Sequence, residues 1–451
     1  MTHSFQPARV LKVDIDQPLP TLDPVDPRTG QRYRRALSLV RLHGQPLGMA
    51  ECALPGEEPL TAGAYARAIF AELGPEINAH LGEDGLAAVA ALPQRGLSSP
   101  RRPACLEARD GLVAEAGCPA ASVVVATRDR PDTLAVALES LLAQDYANRE
   151  IIVVDNAPSS SATLHLVRER YAGLDGVRYV REDTPGLSSA RNRGLRVALG
   201  DVVAFTDDDI VADRQWLTQL VSGFGRAENV ACVTGAIVPI ELETVAQAWI
   251  EQFGGFHKGF ARRVFDNGAH RLDSPLYPYA AGMFGSGANL SFRVAALRAL
   301  GGFDPALSTG TIARGGEDLA MFVKVIKSGY RLVYEPAAIV HHRHRRDYAG
   351  LRKQTYGYGV GLSAYLTACV LDDPALVLDL LPRIPSGLRY AFGSHTGKNH
   401  NKQADYPRDL DRAELLGALY GPVAYLRSRH RLRSAASTRR ASARHLTEEL
   451  A

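Results

Sequence analysis

From Ala121 onward the chain alternates short unbroken apolar runs with stretches whose apolar residues recur at helical spacing. The apolar runs are Ser122-Val-Val-Val-Ala126, Glu150-Ile-Ile-Val-Val-Asp155, Val177 to Arg181 and Asp201-Val-Val-Ala-Phe-Thr206. Between them, Asp132 to Gln144 places Leu134, Leu138, Leu141 and Leu142 on one helical face, and Ser161 to Tyr171 and Ser189 to Leu199 also read as helices. Strands that alternate with helices predict βαβ units and a mostly parallel sheet. Strands without polar alternation predict a sheet covered on both faces.

The flanking regions have other patterns. In residues 1–85, Arg35 to His43 alternates in part, Gly44-Gln-Pro-Leu-Gly48 interrupts, and Met49 to Leu54 resumes, which predicts a β-hairpin. Leu60 to Leu81 brings Tyr65, Ile69, Phe70 and Leu73 to helical spacing, so this region reads as a small α+β module with no evident chemistry. Residues 86–118 turn to Pro, Arg, Ser and Gly and read as a linker. Residues 119–349 hold the α/β pattern, and 350–451 read as a helical, basic C-terminal region. There, Gly421 to Arg444 carries Arg427, Arg429, Arg431, Arg433, Arg439, Arg440 and Arg444 without an acidic residue.

Composition narrows the classes. The 451 residues are 46% hydrophobic and 22% charged, so a folded chain of two or three domains is expected. Lys and Arg total 52 against 49 acidic residues, a net charge of +3 that does not mark a nucleic-acid binder. Five cysteines, widely spaced and odd in number, argue against a disulfide scaffold or a cysteine-built zinc site. Neither a signal-peptide core nor an apolar stretch of about 18 residues is visible, so a cytoplasmic location is expected.

In an open α/β sheet, ligands bind beyond the carboxyl ends of the strands. Thr127-Arg128-Asp129-Arg130, Asp155-Asn156 and Asp207-Asp208-Asp209 follow three of the expected strands. Three adjacent carboxylates repel one another, and a hard divalent cation relieves that repulsion. Gly315-Gly316-Glu317-Asp318 opens a helix through Leu319 to Ser328; its carboxylates serve equally as a cap or as a general base. His341-His342-Arg343-His344-Arg345-Arg346 is a basic strand end or a source of one imidazole for an acidic metal site. Ser188-Ser-Ala-Arg-Asn-Arg-Gly194 places arginines at a helix start, where an anion is favoured.

These pieces, in this order, resemble the family-2 glycosyltransferases of the GT-A fold. The resemblance rests on Ser122 to Pro131, Glu150 to Asn156, Ala190 to Gly194, Asp201 to Asp209, Gly285-Ser-Gly-Ala-Asn-Leu-Ser-Phe292, Gly301-Gly-Phe-Asp304 and Gly315 to Asp318. It covers about residues 120–347. It implies a Rossmann-like α/β fold and inverting transfer of one sugar from a nucleotide-diphosphate donor, assisted by Mn²⁺ or Mg²⁺. By the same resemblance Asp207 and Asp209 occupy the outer positions of the DxD motif and hold metal and donor, with Asp208 between them. Asp155 falls where the base is recognised, with Thr127 and Arg128 at the preceding strand end, and Arg191 lies near the phosphates. Asp318 matches the catalytic base, accompanied by Glu317, and His341 is chosen as a further metal ligand over His342 and His344. Two positions depart from the pattern: Ala320 stands where many members carry an acid, and the Gln-x-x-Arg-Trp motif of processive synthases is absent.

The acceptor class implied is a glycan, a lipid-linked molecule or a small molecule. A lipid-linked acceptor would give the arginine-rich tail a use, docking at an anionic inner membrane face; otherwise the tail is a solvated helix face. Two rival readings differ in class. A nucleotidyltransferase would need a Gly-rich phosphate loop, which Ala126-Thr-Arg-Asp-Arg-Pro131 lacks. A non-catalytic sugar-nucleotide-binding scaffold would keep the fold without the chemistry.

Overall fold

The computed structural model describes residues 5–115, 117–171, 173–174, 176–253, 256, 258–393 and 396–449, with side chains described as far as residue 434. Arg439, Arg440 and Arg444 of the basic tail have side chains outside that range.

Near the N-terminus, β1 (Arg9–Asp14), β2 (Arg35–Leu42) and β3 (Gln45–Ala53) form a three-stranded sheet. β1 runs parallel to β2 and β3 antiparallel to it. The β2–β3 turn is only His43-Gly44, with φ of 53° and 76°. Positive φ at both central residues suits the twist of a tight hairpin, so the strand starts earlier than the Pro-Leu-Gly interruption predicts. α1 (Ala62–Glu83) buries Tyr65, Ile69, Leu73, Ile77 and Leu81 against this sheet. Residues 86–118, expected as a linker, carry α2 (Ala104–Glu115) and add Leu92 and Leu97 to the same core. The Pro and Arg content masked two anchoring leucines.

The large sheet has nine strands: β4 (Ala121–Thr127), β5 (Arg149–Asn156), β6 (Val177–Glu182), β7 (Val202–Asp207), β8 (Ile210–Ala212), β9 (Val230–Pro239), β10 (Arg263–Phe265), β11 (Asn289–Arg293) and β12 (Arg331–His342). Their order is β10-β12-β9-β11-β7-β4-β5-β6, with β8 paired to β12. The β7-β4-β5-β6 half is parallel, as expected; β11 lies antiparallel between β7 and β9. The α/β class read from the sequence, a large sheet flanked by helices with a helical C-terminal region, is the one that forms.

Successive strand residues face opposite sides, and two cores result. Val124, Ile152, Val154 and Phe205 face one core; Val123, Val125, Ile151 and Val153 face the other. α3 (Pro131–Leu142) and α6 (Trp216–Gly223) cover the second face, with Leu138 and Leu220 buried there. α4 (Ala162–Arg170) sends Val167 to the same side. α5 (Leu187–Val197), α8 (Val294–Ala299) and α9 (Glu317–Lys327) cover the first face, and α7 (Val245–Gln252) lies nearer the C-terminal helices. α5 comes close to β4 because position 194 is glycine; a Cβ there would overlap Val124.

The C-terminal region comprises α10 (Tyr348–Asp372), α11 (Leu376–Leu380), α12 (Ile384–Phe392) and α13 (Arg408–Glu449). α10 and α13 meet backbone to backbone. A Cβ at Gly359 would overlap the Glu414 carbonyl, and one at Gly417 the Tyr356 carbonyl. Among the described residues no helix is long and apolar enough to cross a membrane.

Candidate active site

Three parallel strands end at one edge, and their last residues build the site. β4 ends in Thr127, β5 in Asp155-Asn156 and β7 in Asp207. Asp208 is 4% exposed. Thr127 Oγ1 donates to its Oδ2 at 2.7 Å, and Arg130 Nη1 donates to its Oδ1 at 2.7 Å. Burial pushes its carboxyl up to about 6 against the opposing charge of Arg130. Asp208 therefore anchors the acidic turn from inside, with Asp207 and Asp209 on either side of it. Arg130 also reaches Asp209 Oδ2 at 3.0 Å. Arg128 points elsewhere: its side chain is 52% exposed and lies 3.8 Å from Asp129.

After Asp209 the chain turns into β8, which pairs with the end of β12, His342 opposite Ile210. This pairing brings His342 Nε2 to 3.4 Å from Asp209 Oδ1. Burial alone would raise Asp209, but the His342 hydrogen bond and the charges of His342 and Arg130 hold it well below the usual carboxylate range. His342 is lowered by burial and raised by Asp209, with a net rise. Asp207 is raised by burial, which outweighs the nearby Arg191. One oxygen each of Asp207 and Asp209 and one nitrogen of His342 lie within 4.8 Å of one another. Two carboxylates and an imidazole suit Mn²⁺ or Mg²⁺ completed by substrate oxygens.

The structure thus brings His342, not His341, to the acidic pair. Adjacent strand residues point to opposite faces, so His341 faces away from it, among the charges of Asp213, Lys12 and Arg41, and burial lowers its imidazole to about 4. His344 lies further on, its Nε2 2.6 Å from Glu251 and its ring stacked on Phe256. Strand parity was the sequence signal that distinguishes His341 from His342, but it needs the register of β12 against β8.

The loop that carries Glu317 and Asp318 arrives from the other side. Gly316, at φ 94°, caps α9, so Glu317 and Asp318 occupy its first turn. Asp318 Oδ2 accepts the Gly287 N–H at 2.7 Å, and its Oδ1 accepts the Leu319 N–H at 2.8 Å. Arg191, 2% exposed on α5, ties the halves together. It donates to the Gly287 carbonyl at 2.8 Å and to Glu317 Oε1 at 3.2 Å, and lies 3.6 Å from Asp207. Glu317 is pushed up to about 7 by burial and by Asp318, and its Oε2 has no partner. A Cβ at Gly287 would sit 2.9 Å from the Arg191 guanidinium and 3.2 Å from Asp318 Oδ2, so a side chain there would shift one or both of these groups. Gly287 belongs to the Gly285–Phe292 motif, which also contributes Asn289. Asn289 is fully buried; it accepts from Trp216 Nε1 and donates to the carbonyls of Ala236 and Ala338, each at 2.8 Å.

Asp155 is fully buried at the end of β5. Its Oδ2 accepts the Tyr179 hydroxyl at 2.9 Å, its Oδ1 is unpartnered, and burial raises its carboxyl. Asn156 holds the path to α5, donating to the Thr184 carbonyl and accepting the Gly186 N–H, each at 2.8 Å. Arg130 and Gly287 are the site residues to which the sequence reading assigned no role, and His342 is the one it weighed as a metal ligand and passed over for His341. Both Arg130 and Gly287 lie within motifs that the sequence shows, Ser122 to Pro131 and Gly285 to Phe292.

A parallel-sheet edge that gathers acidic, guanidinium and imidazole groups, faced by a carboxylate at a helix start, has the charges that suit a cation and a phosphate-bearing ligand. Residues 122–298 match the family described as Glycosyl transferase family 2. This region is a family-2 glycosyltransferase domain, and the chain is a glycosyltransferase. The chain is 26% identical over 279 residues to a glucosyl-dolichyl phosphate glucuronosyltransferase of Haloferax volcanii, covering 58% of this chain and 82% of that protein. It is 32% identical over 214 residues to a pre-mycofactocin glycosyltransferase of Mycobacterium tuberculosis, covering 45% of this chain and 41% of that longer protein. Among solved structures, the mannosyltransferase PcManGT of Pyrobaculum calidifontis, in complex with GDP-Man and Mn²⁺, aligns with a TM-score of 0.43 at 17% identity over 74% of this chain and 88% of that one.

Proposed function

We propose that the protein moves a single sugar from a nucleotide-diphosphate donor to an acceptor hydroxyl with inversion at the anomeric carbon, and that Asp318 is the base. The observation that carries this reading is the fixed carboxylate of Asp318, held by the Gly287 and Leu319 N–H groups in the same cluster as Asp207 and Arg191. A divalent cation held by Asp207, Asp209 and His342 would neutralise charge on the donor diphosphate. Arg191 adds a buried positive charge on the same side. Asp155, with its free Oδ1, is the acceptor for a base N–H, and Thr127 and Arg130 hold the strand end beneath the donor.

In the transfer step Asp318 takes the acceptor hydroxyl proton while that oxygen bonds to the anomeric carbon. The bond from that carbon to the diphosphate oxygen breaks on the opposite face, which gives inversion through an oxocarbenium-like transition state. Asp318→Asn should therefore lower transfer by about 10²–10⁴-fold while donor binding stays within a few-fold. Transfer from a panel of nucleotide sugars with Mn²⁺ or Mg²⁺, and product anomeric configuration by NMR, are the measurements. Wild-type transfer rates in Asp318→Asn, or retained configuration, would sink the proposal.

The acceptor we assign is one presented at a membrane surface. α11, α12 and their junction expose Leu378, Leu381, Ile384, Leu388 and Phe392, between 51% and 77%. Arg383 and Arg389 lie within the same stretch, and apolar side chains beside cations suit an anionic lipid interface. The full chain should co-sediment with anionic vesicles, and Leu388→Glu with Phe392→Glu should release it. Equal sedimentation of wild type and double variant would refute a docking role for these helices.

A further inference from the structure

The N-terminal module, in which the sequence shows no chemistry, gathers four metal-binding side chains at one point. His43, His80, Asp84 and Cys105 each offer a donor atom, and these atoms all lie within 4.8 Å of one another. His43 is 4% exposed, His80 and Asp84 are 7%, and Cys105 is half-buried. They come from three separate segments. His43 is the first of the two left-handed residues of the β2–β3 turn. His80 and Asp84 stand one helical turn apart at the end of α1. Cys105 opens α2.

Four of the five separations match ligands around one tetrahedral ion to within about 0.3 Å, and the fifth, between Asp84 and His43, is closer, at hydrogen-bond distance. Donors at about 2.0–2.1 Å (N, O) and about 2.3 Å (S) give tetrahedron edges of about 3.3 Å between N or O atoms and about 3.6 Å to sulfur. Here His43 Nδ1 is 3.3 Å from His80 Nε2. Asp84 Oδ2 is 2.7 Å from His43 Nδ1 and 3.2 Å from His80 Nε2. Cys105 Sγ is 3.4 Å from Asp84 Oδ2 and 3.9 Å from His80 Nε2. As hydrogen bonds alone the arrangement is poor, because two ring N–H groups and a thiol would crowd one carboxylate oxygen. Nor is it a Cys-His-Asp relay. A relay needs the carboxylate on the imidazole nitrogen remote from the thiol, whereas here carboxylate and thiol meet the same His80 Nε2.

We infer that His43, His80, Asp84 and Cys105 form a structural Zn²⁺ site, separate from the catalytic carboxylates. One thiolate, two imidazoles and a carboxylate are borderline-soft ligands that suit zinc, and four protein ligands close the coordination sphere, as structural sites do. Asp84 Oδ1 accepts the Cys105 N–H at 2.7 Å, which orients the carboxylate from outside the ligand set. The ion fastens the β2–β3 turn, α1 and α2 together. Two of these also touch the catalytic domain. Leu112 of α2 packs at Gly225, just beyond α6, and the turn glycine, Gly44, packs on Gln215, just before it. The zinc thus holds the module in register on the far side of the sheet.

The test is metal content and cobalt spectroscopy on the full-length protein. We expect about one zinc per chain, as a closed four-ligand site holds, in wild type and in Asp209→Ala, and loss of that zinc in His80→Ala and Cys105→Ser. Cobalt added to the chelated wild type should give a thiolate-to-cobalt band that Cys105→Ser lacks. If Cys105→Ser does not fold, X-ray absorption at the zinc edge of wild type decides: one sulfur with three N or O neighbours supports the site. Absence of the band in wild type, its persistence in folded Cys105→Ser, zinc that follows Asp209 rather than Cys105, or a zinc shell without exactly one sulfur overturns it.

Discussion

At the scale of single residues, the site works by giving neighbouring carboxylates different surroundings. Asp208 faces inward and is held by Thr127 and Arg130; Asp209 faces His342; Asp207 faces Arg191. Low dielectric makes each of these pairings strong and each unpaired carboxylate costly. The neighbouring histidines give a sharp contrast. His342 shares the acidic cluster, whereas His341 sits among Asp213, Lys12 and Arg41. His342→Ala should raise the Mn²⁺ concentration needed for half-maximal transfer by about 10–100-fold, the range typical of weakened metal shells. His341→Ala should leave that concentration unchanged and lower thermal stability instead. A metal titration of both variants checks this; the reverse pattern would return the metal role to His341.

At the scale of elements, the position of Asp318 depends on helices remote from the sheet. Gly316, just before Glu317 and Asp318, packs on α10, where a Cβ would lie 2.5 Å from the Gly361 carbonyl. The opposite side of α10 meets α13 at Gly359 and Gly417, where no side chain fits. A methyl group in that seam must push the helices apart, and overpacking of this kind costs about 1–3 kcal/mol. Gly417→Ala should lower the unfolding free energy by that amount and reduce kcat, because α10 also backs the loop that carries Asp318, the proposed base. Gly111 gives the control: it lies inside α2 and a Cβ there meets nothing within 4 Å. Gly111→Ala should stabilise by up to about 1 kcal/mol through helix propensity. Denaturant unfolding of the pair is the measurement, and equal effects would refute the seam.

At the scale of the whole molecule, the N-terminal module is joined to the catalytic sheet by buried charge. Asp213, following β8, meets Arg41 of β2 at 2.8 Å and Lys12 of β1 at 2.9 Å. Arg41 also pairs with Asp14 at 2.7 Å, and the His341 ring lies within the field of these charges. Burial alone would raise Asp213, but Arg41 and Lys12 depress it below its ordinary value. A depressed carboxylate binds fewer protons in the folded state. Its stabilisation is therefore complete above the unfolded value of about 3.9 and is lost as pH falls through the native value. Urea unfolding of wild type and Asp213→Asn should show a wild-type advantage near neutrality that shrinks below about pH 4. Arg41→Met should cost about 3–5 kcal/mol by leaving a buried carboxylate partly unpaired. Parallel pH curves for wild type and Asp213→Asn would show that the link is not electrostatic.

Much of this was legible along the chain because it depends on local pattern. Unbroken apolar runs such as Val123 to Val125 and Ile151 to Val154 are buried on both faces, and only a covered sheet accommodates them. Strand ends place Thr127, Asp155 and Asp207 at a common edge once that sheet is assumed. Glycines before Glu317 mark a helix start. What the sequence could not express is register and convergence. Whether His341 or His342 meets the acidic pair turns on the alignment of β8 with β12, since one residue of slip exchanges the faces. Leu92 and Leu97 are anchors only because a distant sheet receives them. His43, His80, Asp84 and Cys105 form no sequence motif, yet a two-residue turn, a helix end and a helix start carry them to one point. Local sequence determines which elements form, because short-range sterics and burial periodicity act within a few residues. Tertiary structure alone decides which side chains share a volume, because that requires the packing of elements far apart in the chain.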